Sequence, residues 1–595
     1  MPLIESVKAN LSPAAAKNIE NWLTMPKYVQ YKAELEQMIA DEQWKQLEDA
    51  FFQVIEFGTG GRRGITGVGA NRINRVTIGE SAQALCEYAL EHDSSAAEKG
   101  VVIAYDTRLS SPELSKYTAQ VCAAAGFKTY IFESFRATPE LSFAVRHLGA
   151  AIGIVISASH NPPTDNGFKA YWSDGGQLVA PHDKGVLAKA AAITEVKDTD
   201  FDQAVSDSKI ILIGADIDTA YIDAVVAQAE GSDRDVKIVY SPLHGAGQTN
   251  VLPSLQQAGF TDISVVADQM TPDGNFPTVE NSKPNPEERA ANDRAVAQML
   301  AEKADIVITN DPDADRIGVV VRQGEEAFYL NGNQAAALAT DYVLSKMQQK
   351  GQLTGNHYIA KTIVTTDLLT ALSDHYGVKM YSSMLVGFKY IGELILSKEN
   401  TDEKFVIGGE ESYGLLKGTY ARDKDGAAGA LSLAELAAEL KKAGKTLYDR
   451  LFELFSEHGL YVERLDNVLS PGADGFTRMQ KIMEQLRTNP PARVGSCEVT
   501  AMLDYLSLEK KELATGSVTP IDCIKGNVVV LEFGDTRRRL TIRPSGTEPK
   551  IKFYIQWFED VKSDNQDVIK AQYSEASHRL AGLSKALEGV LFEQV

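Results

Sequence analysis

Apolar residues along this chain come mostly in short runs closed by polar turns, a pattern that predicts buried strands alternating with helices. Ala150 to Ile156 is such a run, bounded by Gly149 and by the polar SASHN that follows. Three segments open on a similar run: VVIAY at 101–105, VKIVY at 236–240 and HYIAK at 357–361. Each leads through a helix-like stretch to a second strand, at Lys128 to Phe132, Asp262 to Val266 and Val378 to Tyr381. Each then reaches a third apolar strand that ends in a polar loop. The loops read SASHNP after Ile156, NDPDADR after Thr309 and GGEESYG after Ile407. This is a weak internal repeat, and it predicts an α/β fold: three similar α/β/α domains with mixed, mainly parallel sheets. Function then belongs at the carboxyl ends of the strands.

Before the repeats, residues 1–55 read as a helical segment, with Ser12-Pro13 as cap and first turn and Lys32 to Phe52 amphipathic. After them come short strands at Asn527 to Phe533, Arg537 to Ile542 and Lys550 to Trp557, with Gly534-Asp535 as a hairpin turn. A helix over about Asp567 to Leu587 closes a smaller C-terminal α+β domain. Glu195 to Ser208, Arg322 to Asn333 and Thr488 to Ser496 read as linkers, the last with Pro490-Pro491. The expected divisions are 1–55, 56–207, 208–325, 326–487 and 488–595, with the domains set around one central cleft.

Length and composition agree with this. A chain of 595 residues is too long for one core, and about four domains are expected. Apolar content of 44% and charged content of 24% are those of an ordinary globular protein. Sixty Lys and Arg against 81 Asp and Glu give a net charge of −21. That argues against a general nucleic-acid or anionic-membrane surface, though not against a local positive cleft for a small anion. The cysteines (Cys86, Cys122, Cys497, Cys523) form no CxxC pair, so a disulfide framework or zinc site is not expected. No leader and no long apolar span is evident, and the expected location is the cytoplasm.

Four loops carry candidate chemistry, and each has an ordinary alternative. Ser159 stands at a strand exit on stiff backbone, where α/β folds place reactive groups, with Lys169 downstream as a candidate proton carrier or phosphate partner. The same residues also suit a plain Ser/Asn/Pro turn. Asp311, Asp313 and Asp315 alternate, which on an extended loop points three carboxylates to one side, as a hard cation needs. They do not fit an EF-hand, because Arg316 and Arg322 fill its glycine and glutamate positions; a solvated acidic turn is the alternative. Glu410 and Ser412, two apart, can present acceptors to sugar hydroxyls, or lie in an acidic surface turn. Arg543-Pro544-Ser545-Gly546-Thr547 combines an Arg fork, two hydroxyls and free backbone N–H groups, which suit a phosphate dianion. It also suits a β-turn with an exposed Arg. Gly58 to Gly64 is glycine-rich, yet it lacks the GxGxxG spacing, and no GxxxxGK[S/T] loop occurs in the chain. Asp106-Thr107-Arg108, Pro242-Leu243-His244-Gly245 and Pro272-Asp273-Gly274 are weaker motifs, and His244 reads as structural.

Taken together, these loops resemble those of the α-D-phosphohexomutases over about Phe57 to Tyr554. Ala158-Ser159-His160-Asn161-Pro162 with Asn166-Gly167-Phe168-Lys169 is similar to the phosphoserine loop, and DPDADR to the metal loop. GEESYG resembles the sugar loop, with Tyr413 where many members carry Gly. Arg543 to Pro549 is close to the phosphate loop RPSGTEP. The resemblance implies that Ser159 carries the phosphoryl group and joins Asp311, Asp313 and Asp315 in holding one Mg²⁺ per chain. It implies that Arg63 faces the reacting phosphate and that Lys169 and His160 are the candidate acid/base groups. For the substrate it implies Thr59, Arg316, Gly387 and Lys389 (from a TGFK-like element departing at Val386), Glu410 and Ser412. It adds Arg422 and Lys424 from an RDKDG element, and Arg543, Ser545, Gly546 and Thr547. The implied reaction interconverts glucose 1-phosphate and glucose 6-phosphate through a phosphoserine and a bound glucose 1,6-bisphosphate, which also acts as activator. Mannose or pentose phosphates, a bisphosphate synthase or phosphatase, and a silent sugar-phosphate-binding regulator are the alternatives. The expected partners are small sugar phosphates, without nucleic acid or membrane, and the expected state is a monomer or homodimer.

Overall fold

Each of the three repeats folds around its own sheet, and in each the third strand doubles back as an antiparallel hairpin whose turn is the polar loop. The computed structural model describes residues 2–56, 61–469, 475–545 and 550–592. In the first sheet, Val101–Tyr105 lies between Ile152–Ile156 and Thr129–Phe132, all parallel. Asp165–Trp172 returns antiparallel along Ile152–Ile156, and Arg62–Ile65 pairs outside it. In the second, Ile238–Ser241 is flanked in parallel by Ile263–Val265 and Ile306–Thr309, and Gly318–Gln323 returns antiparallel. In the third, His357–Lys361 lies between Lys379–Tyr381 and Lys404–Glu410, and Gly414–Lys417 returns. The near-continuous apolar runs are strands covered by helices on both faces, which is why they do not alternate. The hairpin returns were not expected, because sequences such as NGFKAYW mix polar and apolar residues.

The fourth sheet has seven strands in all-antiparallel order, with helices Gly475–Thr488 and Gln566–Phe592 packed on it. Two strands fall outside the expected divisions. Ile210–Ile213, beyond residue 207, pairs in parallel with Thr129–Phe132 of the first sheet. Leu460–Leu469, well before residue 488, pairs along its whole length with Lys550–Glu559. The linkers expected around these places are structured as well. Phe201–Ser206 is a helix capped by Asp200, and Arg322 to Asn333 holds the return strand Glu326–Leu330. The Pro490-Pro491 break lies inside the last domain.

The N-terminal helices are Pro2–Asn10, Pro13–Thr24, Lys32–Ala40 and Trp44–Phe51. Ser12 caps the second as expected, accepting from the Ala15 N–H. The amphipathic stretch 32–52 is broken at residues 41–43, where Glu42 is left-handed. The break lets Leu35 and Ile39 share one core with Leu47, Ala50 and Phe51. Trp22 organises that core, stacked on Tyr28 with ring centres 4.4 Å apart and edge-on to Phe51. The segment grips the first domain by polar bonds. The Asn71 N–H donates to the Ala50 carbonyl, and a Cβ on Gly69 would meet that same oxygen at 2.6 Å. The Lys27 ammonium reaches Glu80 and the Ile193 carbonyl, each at 2.6 Å, with both charged side chains under 10% exposed.

Breaking a buried pair by removing one partner strands the other charge. Lys27→Ala should therefore destabilise the first domain by about 3 kcal/mol. Denaturant unfolding should show the loss, and adding Glu80→Gln should recover part of it.

Candidate active site

Ser159 follows the first domain's third strand in a turn that backbone bonding holds from below. Its own φ is +52°, in the left-handed region that non-glycine residues rarely adopt. Its N–H donates to Ser157 Oγ at 2.8 Å, and the Ser157 hydroxyl donates to Asp106 Oδ2 at 2.7 Å. Arg108 donates to four carbonyls of the loop, those of Ser159, Asn161, Pro162 and Asp165, at 2.5–3.0 Å. Asp106 and Arg108 face each other at 3.2 Å with fully buried side chains. They clamp the loop, a role that the weak motif at 106–108 did not reveal.

The serine hydroxyl points at the second domain's acidic loop. It donates to Asp311 Oδ2 at 2.5 Å and lies 3.2 Å from His160 Nδ1. Asp311, Asp313 and Asp315 are buried, with their carboxylate oxygens within 4.8 Å of one another, and could hold a metal ion. Asp313 Oδ1 and Asp315 Oδ1 are buried and accept no hydrogen bond, which fits a cation as the missing partner. Cations from three directions balance the cluster. Lys169 of the first domain donates to Asp313 Oδ2 at 2.5 Å and lies 3.5 Å from Asp315. Lys424 of the third reaches Asp315 at 2.8 Å, and Arg316 lies 3.9 Å from both Asp311 and Asp315 while pairing with Glu287. Thr138, which sequence reasoning did not single out, ties the loop to the first domain. Its N–H donates to the Asp313 carbonyl at 2.9 Å and its hydroxyl to Asp313 Oδ2 at 2.7 Å. It opens the helix Thr138–Leu148, and nothing local in TPELSF signals that contact.

Burial raises the Asp311 carboxyl well above the usual range, and Asp315 and Asp313 add to it. Burial pushes Asp313 the same way, but the Lys169 ammonium outweighs it and holds that carboxyl well down. Burial, then Arg316 and Arg63, depress His160 and keep its ring neutral. The carboxylates raise Arg316 and Lys424 against their burial. In the sugar-type loop, burial and Glu410 push Glu411 up to about 7.

These groups open onto a cleft of about 650 Å³. Of the expected site residues, Arg63, His160, Lys169, Arg316, Gly387, Glu410, Ser412, Lys424, Arg543 and Ser545 line it. Ser159 and the three aspartates lie just beneath its floor, through the contacts above. Two expected residues point elsewhere. Arg422 is buried, with its guanidinium on Glu399 at 2.9 Å and on the Thr419 and Ala421 carbonyls, so it braces the third domain. Lys389 starts the helix Lys389–Lys398 and faces Asp183 at 3.6 Å. Thr59, Gly546 and Thr547 lie outside the described residues. His244 has both ring nitrogens engaged, on the Thr271 carbonyl and Thr278 Oγ1, as a structural residue should.

Three family models match the chain in order. They are the α/β/α domains I, II and III of phosphoglucomutase/phosphomannomutase, at residues 54–197, 219–324 and 331–457. A phosphoglucomutase of Staphylococcus epidermidis (ATCC 12228) is 33% identical over 530 residues, 88% of this chain and 93% of its own. One of Staphylococcus aureus (MSSA476) is 35% identical over 525 residues, 86% and 92%. Among solved structures, a phosphoglucomutase/phosphomannomutase family protein of Burkholderia thailandensis matches with a TM-score of 0.61 at 19% identity, covering 90% of this chain and 99% of its own. The open form of Paramecium pp63/parafusin matches with a TM-score of 0.63 at 16% identity, covering 90% and 98%. No helix among the described residues is long and apolar enough to cross a membrane.

Asp315→Asn should weaken binding of a divalent cation at least about tenfold, because it removes one of the two carboxylates with an open oxygen. Calorimetric titration with Mg²⁺ and Mn²⁺ would measure this. Unchanged affinity for both would place the cation elsewhere.

Proposed function

The chain belongs to the phosphoglucomutase/phosphomannomutase family, and we propose that it interconverts glucose 1-phosphate and glucose 6-phosphate by way of phosphorylated Ser159. The observation that carries this is the Ser159 hydroxyl, 2.5 Å from a buried carboxylate in a cluster of three and at the floor of a cation-lined cleft. The choice of glucose rests on relatives named phosphoglucomutase at 33–35% identity.

In the forward direction the phosphoserine P–Oγ bond breaks as a bond forms from phosphorus to O6 of glucose 1-phosphate. The O6 proton passes to a base in the cleft, a role that suits the neutral His160 ring, and Ser159 Oγ takes up a proton as it leaves, for which the Lys169 ammonium is the candidate donor. The resulting 1,6-bisphosphate turns over, and its C1 phosphate returns to Ser159, which leaves glucose 6-phosphate and a protonated O1. Arg63, which lines the cleft and whose charge acts on His160 next to Ser159, suits the reacting phosphate. Arg543 and Ser545 on the fourth domain suit the idle one. Glu410 and Ser412, 3.5 Å apart, suit the sugar hydroxyls between them. Asp311, Asp313 and Asp315 would hold Mg²⁺, which when bound neutralises charge on the transferring phosphoryl group. Lys424 and Lys169 orient those carboxylates, and Arg108 fixes the backbone that carries Ser159. Closure of the fourth domain would keep water from the phosphoserine. The reading places the protein in the cytoplasm, in keeping with four free cysteines.

The deciding assay follows conversion of glucose 1-phosphate with Mg²⁺, with and without glucose 1,6-bisphosphate, beside mannose 1-phosphate and ribose 1-phosphate. Bisphosphate-stimulated turnover fastest on glucose is expected. Faster turnover on mannose or ribose would reassign the substrate, and net phosphate release would indicate a phosphatase. Ser159→Ala should abolish exchange while the melting temperature is kept, and retained activity would remove the nucleophile. Arg543→Ala should raise KM about tenfold or more with a smaller effect on kcat.

A further inference from the structure

The strand that carries Arg63 lies at the outer edge of the first sheet, and part of its hold comes from outside that sheet. Arg62–Ile65 is four residues long and pairs on one side only, along Asp165–Trp172. Adjacent side chains leave a strand on opposite faces. Arg63 lines the cleft, while Arg62 turns inward and is 2% exposed. The Arg62 guanidinium donates to the Thr77 carbonyl at 3.0 Å and to Ser81 Oγ at 2.9 Å, both in the helix Arg75–His92. Burial lowers its pKa, and the Glu80 carboxylate, then Tyr28, oppose that shift.

Both supports lead to the N-terminal helices. Glu80 receives the Lys27 ammonium at 2.6 Å, and Tyr28 stacks on Trp22 in the core of that segment. The backbone beyond the strand is gripped from the same direction. The Ile55 N–H donates to the Ala70 carbonyl at 3.0 Å, and a Cβ on Gly64 would meet the Ile55 side chain at 3.0 Å. A buried guanidinium costs free energy, and Arg62 faces away from the cleft that its neighbour lines. What its charge secures is the place of a short edge strand. We propose that Arg62 is a positioning residue for Arg63, and that residues 1–55, through Lys27 and Glu80, hold Arg62 where it does this. The N-terminal helices thereby serve phosphoryl transfer without touching substrate. A misplacement of about 1 Å at a reacting group costs about a hundredfold in rate, so a small slip of the strand would register in turnover. The proposal rests on the mutase reading for the role of Arg63.

The test compares Arg62→Met, Arg62→Lys, Lys27→Met and the double variant Lys27→Met/Arg62→Met with the wild-type protein. It reads kcat and KM for glucose 1-phosphate, below the melting temperature of each. Arg62→Met should lower kcat about tenfold or more and change KM less than about threefold, because Arg63 loses its place while the substrate's other contacts remain. Arg62→Lys keeps a charge beside Glu80 and should recover most of kcat. Lys27→Met should lower kcat about threefold, and the double variant should be no slower than Arg62→Met, because both act along one chain of contacts. A kcat within about twofold of wild type in Arg62→Met overturns the proposal. So does Arg62→Lys no faster than Arg62→Met, since the loss would then follow packing rather than charge. Losses that multiply in the double variant overturn the link to the N-terminal helices. Should Arg62→Met fail to fold, Lys27→Met decides, and a wild-type kcat there overturns the proposal. If the wild-type protein turns over no sugar phosphate, the mutase reading falls, and crystal structures of wild type and Arg62→Lys and Lys27→Met decide the positioning. Arg63 superimposed in all three overturns it.

Discussion

The structure depends on a cluster of charges that no single domain could bury alone. Asp311, Asp313 and Asp315 sit almost wholly out of water, where unpaired carboxylates would be protonated or would unfold their surroundings. What makes them tolerable comes from elsewhere in the chain: Lys169 and Thr138 from the first domain, Lys424 from the third, and Arg316 from the loop itself. Each contributor is useful only if the other domains are in place, so the first three domains are locked together by the needs of one acidic loop. The balance is incomplete, since Asp313 Oδ1 and both oxygens of Asp315 accept no hydrogen bond, and that deficit suits the site to a metal ion.

The fourth domain is joined by different chemistry. Ile363, Val364 and Leu385 of the third domain pack against Tyr505, Val528, Val530 and Tyr554 of the fourth. Beside this seam Asp367 receives Lys361 at 2.7 Å and Arg539 at 2.9 Å. Further along, Phe452 and Phe455 of the helix Leu447–His458 pack on Tyr573 of the last helix, so apolar packing holds the fourth domain where interlocked charges hold the first three.

The strands and their loops were legible because runs such as VVIAY and AAIGIVI have little choice but burial, and the loops at their ends carry unmistakable residue types. The return strands were not. Asp165–Trp172, with its mixed polar and apolar residues, takes its identity from the strand it pairs with rather than from its own composition. Leu460–Leu469 was hidden in the same way: half-exposed polar positions such as Glu463 and Asp466 interrupt its apolar pattern, and its partner strand lies about ninety positions later. Within the site, motif matching found the side chains that face the cleft and overreached at Arg422, whose neighbourhood in sequence is functional but whose guanidinium is spent on Glu399. It gave Arg108 only as part of a weak motif and passed over Thr138, because both act on the backbone or carboxylates of loops far away in the chain.

The three loops share a backbone device that side-chain patterns do not announce. Ser159, Ala314 and Tyr413 each occupy the hairpin turn with φ of +52°, +52° and +67°. For residues with a Cβ this costs about 1 kcal/mol or more. In each case the twist turns the residue's carbonyl toward a neighbouring element. The Ser159 carbonyl accepts from Arg108 at 2.5 Å, that of Ala314 from the Gly426 N–H at 3.1 Å, and that of Tyr413 from the Ile317 N–H at 2.9 Å. The last two bonds tie the second domain's loop to the third domain's, so the strained turns are also the stitches between domains. Glycine would adopt the same φ more cheaply, but would gain that freedom in the unfolded chain and hold the stitch less firmly. At position 413 the tyrosine lines a pocket together with Glu287, the partner of Arg316. The costlier residue thereby fixes the sugar-type loop through its backbone.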